Sequence, residues 1–279
     1  MRKFVFNSPQ SFEKCVSQVQ TKVTDWEVRR LRDCYLSLME SCLTGIIYED
    51  QPLKAWPGAE IYDAATRAVG MDWPSMAHTM IGVKRLANLR MLAETVIANE
   101  IPGDFIETGV WRGGACILMR AVLNAYQVTD RRVWVADSFQ GLPPPDLQRY
   151  PADAESTFHT FKELSVPLET VRRNFEKYGL LDDQVVFLKG WFKDTLPTAQ
   201  IRRLALLRMD GDLYESTIVA LNALYDKLSP GGYVIVDDYH VVSGCRNAIG
   251  DFLSARKIPS SRLSEIDGVG VFWQKTSDR

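Results

Sequence analysis

The residues best equipped for chemistry are acids that close apolar runs. Leu204 to Asp210 continues into Gly211-Asp212, and Tyr233 to Asp237 continues into Asp238-Tyr239. If these runs are neighbouring strands, four carboxylates gather at adjacent strand ends and repel one another unless a cation occupies the space. Every candidate donor is a hard oxygen, with no thiolate and no histidine pair at ligand spacing, so the set favours Mg²⁺ over Zn²⁺, with Mn²⁺ or Ca²⁺ as alternatives. The blander reading is that these acids solubilise the sheet edge and cap the helices that follow, a role open to Asp212 in particular.

A second group precedes them. Phe105 to Thr108 runs into Gly109-Val110-Trp111-Arg112-Gly113-Gly114, a glycine turn that opens a helix, whose amino-terminal N–H groups suit an anionic or polar ligand. A dinucleotide fingerprint would carry a second glycine where Trp111 stands. The next apolar run, Val133 to Asp137, ends in Asp137-Ser138, about 20 residues past the turn, where a carboxylate can accept hydrogen bonds from both hydroxyls of a ribose. NAD and S-adenosylmethionine both carry that ribose. Glu107 at the first strand tip sits badly beside a pyrophosphate but suits the ammonium and sulfonium surroundings of S-adenosylmethionine. Trp191-Phe192 would stack on an adenine or belong to the core. His78, on an apolar helical face, reads as a satisfied, partly buried histidine before it reads as a base. His159 and His240 are placed where either could meet a substrate.

The elements that must position these groups follow from periodicity. Trp26 to Leu43 and Met76 to Ile97 repeat apolar residues at helical spacing, and the Tyr48 to Pro74 segment between them reads as a lid or linker. From Gly103 onward, strands at Phe105–Thr108, Val133–Asp137, Val185–Leu188, Leu204–Asp210 and Tyr233–Asp237 alternate with helices near Gly113–Tyr126, Leu168–Tyr178, Ser216–Leu228 and Cys245–Lys257. This is βαβ order and predicts a largely parallel sheet. Ser229-Pro230-Gly231-Gly232 reads as a stop after the third of those helices, and Gly268 to Trp273 as an edge strand. One long insertion, Gln140 to Pro167, follows the second strand; loops of that length at a strand's carboxyl end are often functional.

Composition narrows the class. The 279 residues are 46% hydrophobic and 24% charged, enough to bury a full core. A net charge of -2 carries no basic excess for nucleic acid, which leaves a small-molecule partner. No apolar run approaches the roughly 20 residues of a membrane span, and MRKFVFNSPQSFEKC lacks the apolar core of a secretory signal. The five cysteines, Cys15, Cys34, Cys42, Cys116 and Cys245, show no CxxC spacing and fit reduced thiols in a cytoplasmic protein.

Seven segments in order resemble the macrocin O-methyltransferase family, the Mg²⁺-dependent sugar O-methyltransferases of antibiotic pathways. They are IIYED at Ile46–Asp50, AHTMIG at Ala77–Gly82, GDFIETGVWRGGACI at Gly103–Ile117, VWVADSFQGLP at Val133–Pro143, GWFKDTLP at Gly190–Pro197, MDGDLYEST at Met209–Thr217 and LSPGGYVIVDDY at Leu228–Tyr239. The resemblance implies an α/β fold, the class I methyltransferase Rossmann-like form, with a mostly parallel seven-stranded sheet. It also implies an amino-terminal helical lid and dimerisation region over residues 1–100, and a methyltransferase domain over 101–279. S-adenosylmethionine is expected on Met80, Glu107, Thr108, Gly109, Val110, Arg112, Gly113, Asp137, Ser138, Gly190, Trp191, Phe192 and Asp210. Mg²⁺ is expected on Asp210, Asp237 and Asp238, with Asp212 as general base. The implied partner is a hydroxylated small molecule, a sugar or polyketide-type acceptor, taken by a homodimer. Residues 1 to about 30 match no part of the family pattern, and the insertion is not diagnostic of one acceptor.

Rival readings are distinguishable. A metal-dependent O-methyltransferase of a phenolic or polyketide hydroxyl shares every motif and differs only in acceptor. A nicotinamide-dependent oxidoreductase conflicts with Trp111 and Glu107, and a non-catalytic nucleotide-binding module has no use for four converging carboxylates.

Overall fold

A computed structural model describes residues 24–54 and 60–276; Cys15 and the rest of residues 1–23, and residues 55–59 of the proposed lid, lie outside them. The chain divides into two compact units, Met1–Tyr35 and Leu36–Arg279. Helix α1 (Asp25–Leu43) starts on a capping box: the Thr24 amide donates to Glu27 Oε2 at 2.8 Å and the Glu27 amide to Thr24 Oγ1 at 3.3 Å. The short α2 (Ala64–Ala68) and the longer α3 (Gly82–Ala98) follow.

Strands and helices then alternate as β1 (Asp104–Thr108), α4 (Gly114–Ala125), β2 (Val133–Asp137), α5 (Leu168–Lys177), β3 (Val185–Lys189), α6 (Phe192–Thr195) and β4 (Leu204–Met209). They continue as α7 (Tyr214–Leu224), β5 (Leu228–Val236), α8 (Ser243–Ala255), β6 (Ser264–Glu265) and β7 (Val271–Gln274). The strands form one seven-stranded sheet in the order β3-β2-β1-β4-β5-β7-β6. Neighbours from β3 through β5 are parallel, and β7 runs antiparallel to both β5 and β6. Central strand β4, Leu-Ala-Leu-Leu-Arg-Met, is buried at every position, as expected where helices cover both faces. Helix α4 is buried continuously from Gly114 to Leu123, because it packs against β1 and β2 on one side and α3 on the other. The second unit therefore begins at Leu36, well before residue 101: α3 packs on α4, β4 and β5 as part of the same core.

Three sequence expectations need correction. The Gly268–Trp273 run gives β7, but β7 lies inside the sheet, and the edge is β6, whose two exposed residues show no alternation to read. Ser229 to Gly232 does not stand between the helix and the strand but lies within β5: the Gly231 amide donates to Lys275 O at 2.7 Å and the Lys275 amide to Gly232 O at 2.8 Å, so pairing with the chain after β7 claims that backbone. Helix α3 starts at Gly82, not Met76. Asp50 explains the delay, since Oδ1 accepts from Ser75 Oγ at 2.6 Å and Oδ2 from the Met76 and Ala77 amides at 2.8 and 2.7 Å. Among the described residues, no helix is long and apolar enough to cross a membrane.

The stretch from Thr44 to Ala77 is held by buried polar groups. Arg67 is fully buried and forks onto Asp72, its Nε at 2.7 and 2.9 Å and its Nη2 at 2.6 Å, while Nη1 and Nη2 reach the Thr44 and Asp50 carbonyls at 2.9 and 2.7 Å. Every part of that guanidinium is satisfied, which is what makes its burial tolerable. Removing one partner leaves an uncompensated buried charge, so Asp72→Ala is expected to lose about 3–5 kcal/mol of stability in denaturant unfolding; an unchanged midpoint would show that Arg67 does not depend on Asp72.

Candidate active site

In an open α/β sheet the crevice lies beyond the carboxyl ends of the parallel strands. Here that crevice is a cavity of about 510 Å³, whose walls come from the ends of β1, β2, β4 and β5, the start of α6, the Gly70–Trp73 stretch and the long insertion. Gly109 is the hinge of its floor. With φ of 86° it adopts a left-handed backbone, and a Cβ there would lie 1.8 Å from the Asp210 carbonyl oxygen, so only glycine lets the turn after β1 rest on the end of β4.

Of the residues expected to hold a cofactor, Met80, Gly109, Asp137, Ser138, Trp191, Phe192 and Asp210 line the cavity. Asp137 is fixed by two amides, Val110 to Oδ2 at 2.8 Å and Phe139 to Oδ1 at 2.6 Å. Burial pushes its carboxyl up, and those amides oppose the shift. Phe192 packs over Gly211, where a Cβ would stand 3.2 Å from its ring.

Glu107, Thr108, Val110, Arg112, Gly113 and Gly190 stand behind the wall. Glu107 is 2 % exposed, paired with Arg208 Nη1, and accepts from Cys116 Sγ at 2.9 Å. Its carboxyl is pushed up to about 7 by burial, against the pull of Arg208. Both of its oxygens are thus engaged within the chain, one by Arg208 and one by Cys116. The Thr108 carbonyl accepts the Asp210 amide at 2.9 Å, and the Gly190 amide donates to the Asp137 carbonyl at 2.9 Å. Arg112 Nη1 donates to the Pro74 and Ala77 carbonyls at 3.2 and 2.8 Å. Gly113, φ 85°, is the left-handed N-cap of α4. The amides of that turn are less free than the sequence implied, for Gly113 donates to Val110 O and Gly114 to His78 O, at 2.7 and 2.9 Å.

At the acidic end Asp210, Asp237 and Asp238 each offer an oxygen, all within 4.8 Å of one another. Asp212 joins them in the cavity wall in a left-handed conformation, φ 57°. The sequence signal missed here was cationic. Arg208 of β4, 1 % exposed, binds Glu107 and Asp237 and reaches Asp210 Oδ2 at 2.9 Å. Arg85 of α3 binds Asp237 and reaches Asp267 Oδ2 at 3.1 Å. A charged residue inside an apolar strand was the clue to Arg208; nothing in its helical context marked Arg85. Two guanidiniums thus already offset part of the repulsion. They do not offset all of it: Asp238 Oδ2 is buried without a hydrogen-bond partner. Burial and neighbouring carboxylates push Asp210 and Asp238 upward and Asp212 to about 8. An unpartnered carboxylate oxygen among hard donors fits a divalent cation.

The cavity also has an apolar wall, with Met71, Trp73, Leu142, Pro143, Pro144, Phe158 and Leu164. The insertion that supplies much of it is tied to the chemistry by Asp153, which accepts the Tyr214 and Glu215 amides at 2.6 and 3.1 Å and so caps α7 immediately after Asp212. His159 and His240 do not line the cavity. His78 bonds Tyr178 Oη through Nδ1 at 2.8 Å, matching the reading of a satisfied histidine.

The family model for macrocin-O-methyltransferase (TylF) matches residues 54–275. The chain is 56% identical over 247 residues to the 8-demethyl-8-(2,3-dimethoxy-alpha-L-rhamnosyl)-tetracenomycin-C 4'-O-methyltransferase of Streptomyces olivaceus, covering 88% of this chain and 94% of that one. It is 48% identical over 249 residues to the mycinamicin III 3''-O-methyltransferase of Micromonospora griseorubida, with 88% and 97% covered. The solved structure of the O-methyltransferase NovP is similar with a TM-score of 0.84 and 53% identity, over 88% of this chain and 99% of that one. The calicheamicin methyltransferase CalS11, 20% identical with a TM-score of 0.55 over 97% and 95%, shares the fold.

Burial holds the His78 imidazole down at about 4 against its ordinary 6.5, with Lys177 and Arg112 adding to the effect. A histidine that resists protonation only when folded contributes stability above pH 6.5 and loses it as pH falls toward about 4. Wild-type unfolding free energy should therefore fall more steeply across that window than that of a His78→Phe variant; equal slopes would contradict the assignment.

Proposed function

The chain belongs to the macrocin O-methyltransferase family and is an S-adenosylmethionine-dependent O-methyltransferase, and from that premise we propose that it methylates a sugar hydroxyl of a glycosylated natural product with Mg²⁺ held by Asp210, Asp237 and Asp238. The observation that carries the reading is one cavity lined both by a carboxylate cluster and by a set of apolar side chains. A polar sugar suits the first and an apolar aglycone the second. A phenolic or polyketide hydroxyl is the alternative acceptor.

Asp137 is assigned to the ribose, with Ser138, Met80, Trp191 and Phe192 as further contacts and Gly109 offering backbone at close approach. Glu107, Thr108, Val110, Arg112, Gly113 and Gly190 are assigned to the same cofactor site as residues that support those contacts, in keeping with their absence from the cavity lining. When bound, a divalent cation supplies Lewis acidity that lowers the pKa of an acceptor hydroxyl. Asp212 takes the hydroxyl proton: a carboxyl pushed up to about 8 by burial, and further by Asp210 and Asp237, suits that transfer. Arg208 and Arg85 hold Asp237 from both of its oxygens and so set the cluster's geometry. The apolar walls exclude water from the methyl transfer. Within residues 1–100 we further assign lid and dimerisation to the part that precedes the core helix α3, with a homodimer as the working form and the cytoplasm as its location, consistent with the free thiols of Cys34, Cys42, Cys116 and Cys245.

Methyl transfer from S-adenosylmethionine to the rhamnosyl tetracenomycin named for the Streptomyces olivaceus relative, to its aglycone and to catechol tests the acceptor class. Turnover of the glycoside alone is expected; transfer only to catechol would overturn the sugar assignment. Chelator should abolish turnover and Mg²⁺ restore it. Asp212→Asn should keep cofactor affinity yet lose roughly 10² to 10⁴ in rate, whereas Asp210→Asn should lose metal affinity as well. Near wild-type turnover by Asp212→Asn would move the base elsewhere.

A further inference from the structure

Trp111 stands where a dinucleotide turn would carry its second glycine, and it keeps the glycine's backbone, with φ of 46°. A bulky side chain in that conformation is strained, and such strain persists only where surrounding contacts hold it. The contacts are specific. The Trp111 indole N–H donates to the Glu163 carbonyl at 2.9 Å, across 52 positions of sequence, in the 3-10 turn Lys162–Leu164 that ends the insertion. On the other side the Arg112 guanidinium carbon lies 4.0 Å from the Trp111 ring centroid, and that guanidinium donates to the Pro74 and Ala77 carbonyls. Two consecutive residues of the turn therefore grip the two segments that make the apolar wall. Phe161 closes the circuit by packing edge-on against Trp73 with ring centroids 5.3 Å apart.

We propose that Trp111 is a positioning residue that couples occupancy of the cofactor side of the cavity to the order of the acceptor wall at residues 158–165. Trp111 itself lines the cavity beside Gly109 and Asp137, so a ligand settled there restrains the indole, and the indole restrains Glu163 and its neighbours Phe158 and Leu164 in the wall. Cofactor then arrives first and the acceptor meets a finished surface. The inference rests on the assignment of Asp137 and the glycine turn to S-adenosylmethionine.

Two variants separate the coupling from simple folding. Trp111→Phe keeps a ring and removes the N–H; Trp111→Gly removes the ring and relieves the left-handed strain. Calorimetry with S-adenosylhomocysteine first establishes binding to each protein, and hydrogen–deuterium exchange is then followed with and without it. In the wild type, S-adenosylhomocysteine should slow exchange both at residues 137–142 and at 158–165. Both variants should bind within about tenfold of wild type, the worth of one neutral hydrogen bond, and keep the protection at 137–142 while losing it at 158–165. Protection at 158–165 that survives in both variants, or that is missing from a wild type that binds, overturns the coupling and leaves the cofactor assignment standing. A wild type that does not bind S-adenosylhomocysteine overturns both.

Discussion

The buried guanidinium of Arg208 is the constraint around which the acidic end of the molecule is arranged. It binds carboxylates at the ends of three adjacent strands, Glu107 on β1, Asp210 after β4 and Asp237 after β5. Desolvating a guanidinium in the middle of a sheet costs several kcal/mol, which good geometry to several partners offsets and the loss of one partner exposes. The register between β1, β4 and β5 is thereby linked to the placement of the acids, since a one-residue slip would turn Arg208 to the other face. Gly109 completes the arrangement by letting the turn after β1 lie on the Asp210 carbonyl.

A second cation ties this centre to the amino-terminal part of the unit. Arg85 reaches Asp237 and Asp267 with one side of its guanidinium and the Val69 and Gly70 carbonyls, at 3.0 and 3.3 Å, with the other. Those carbonyls follow the helix of Arg67, whose own fork onto Asp72 holds the stretch that brings Met71 and Trp73 to the cavity. The strand ends are thus joined to the proposed lid through the buried Arg85 and the Val69 and Gly70 carbonyls.

Much of the fold was legible because parallel strands covered on both faces read as short apolar runs: β2 coincides with its expected span, and β1, β3 and β4 differ by a residue. What was hidden depended on partners far away in sequence. Asp50 decides where α3 starts, and Lys275 decides that Gly231-Gly232 is strand. The same division holds at the candidate site. The acids and glycines announced themselves through strand ends and turns. Arg85, the three partners of Arg208, the inward engagement of Glu107 and the Asp153 cap did not, since each is defined by a contact across the fold. Whether a motif residue touches the cavity or supports one that does is likewise a tertiary fact, as Val110 and Arg112 illustrate.

The two attachments of the insertion bear on how such enzymes diversify. A loop fixed only at its ends can be exchanged like a cassette. This one is also fixed from within, by the Asp153 carboxylate on α7 and by the Glu163 carbonyl under the Trp111 indole. The span between those anchors carries Phe158, whereas residues 154, 155, 159 and 160 are exposed. Phe158 can therefore be exchanged without releasing either anchor, while a chimera that transplants the whole 140–167 stretch without a matching carboxylate at 153 would uncap the helix that follows the acidic cluster. Of the insertion's cavity-lining residues, Phe158 alone lies between the anchors, and the others flank them, so a change at 158 alters the wall while both attachments stay in place.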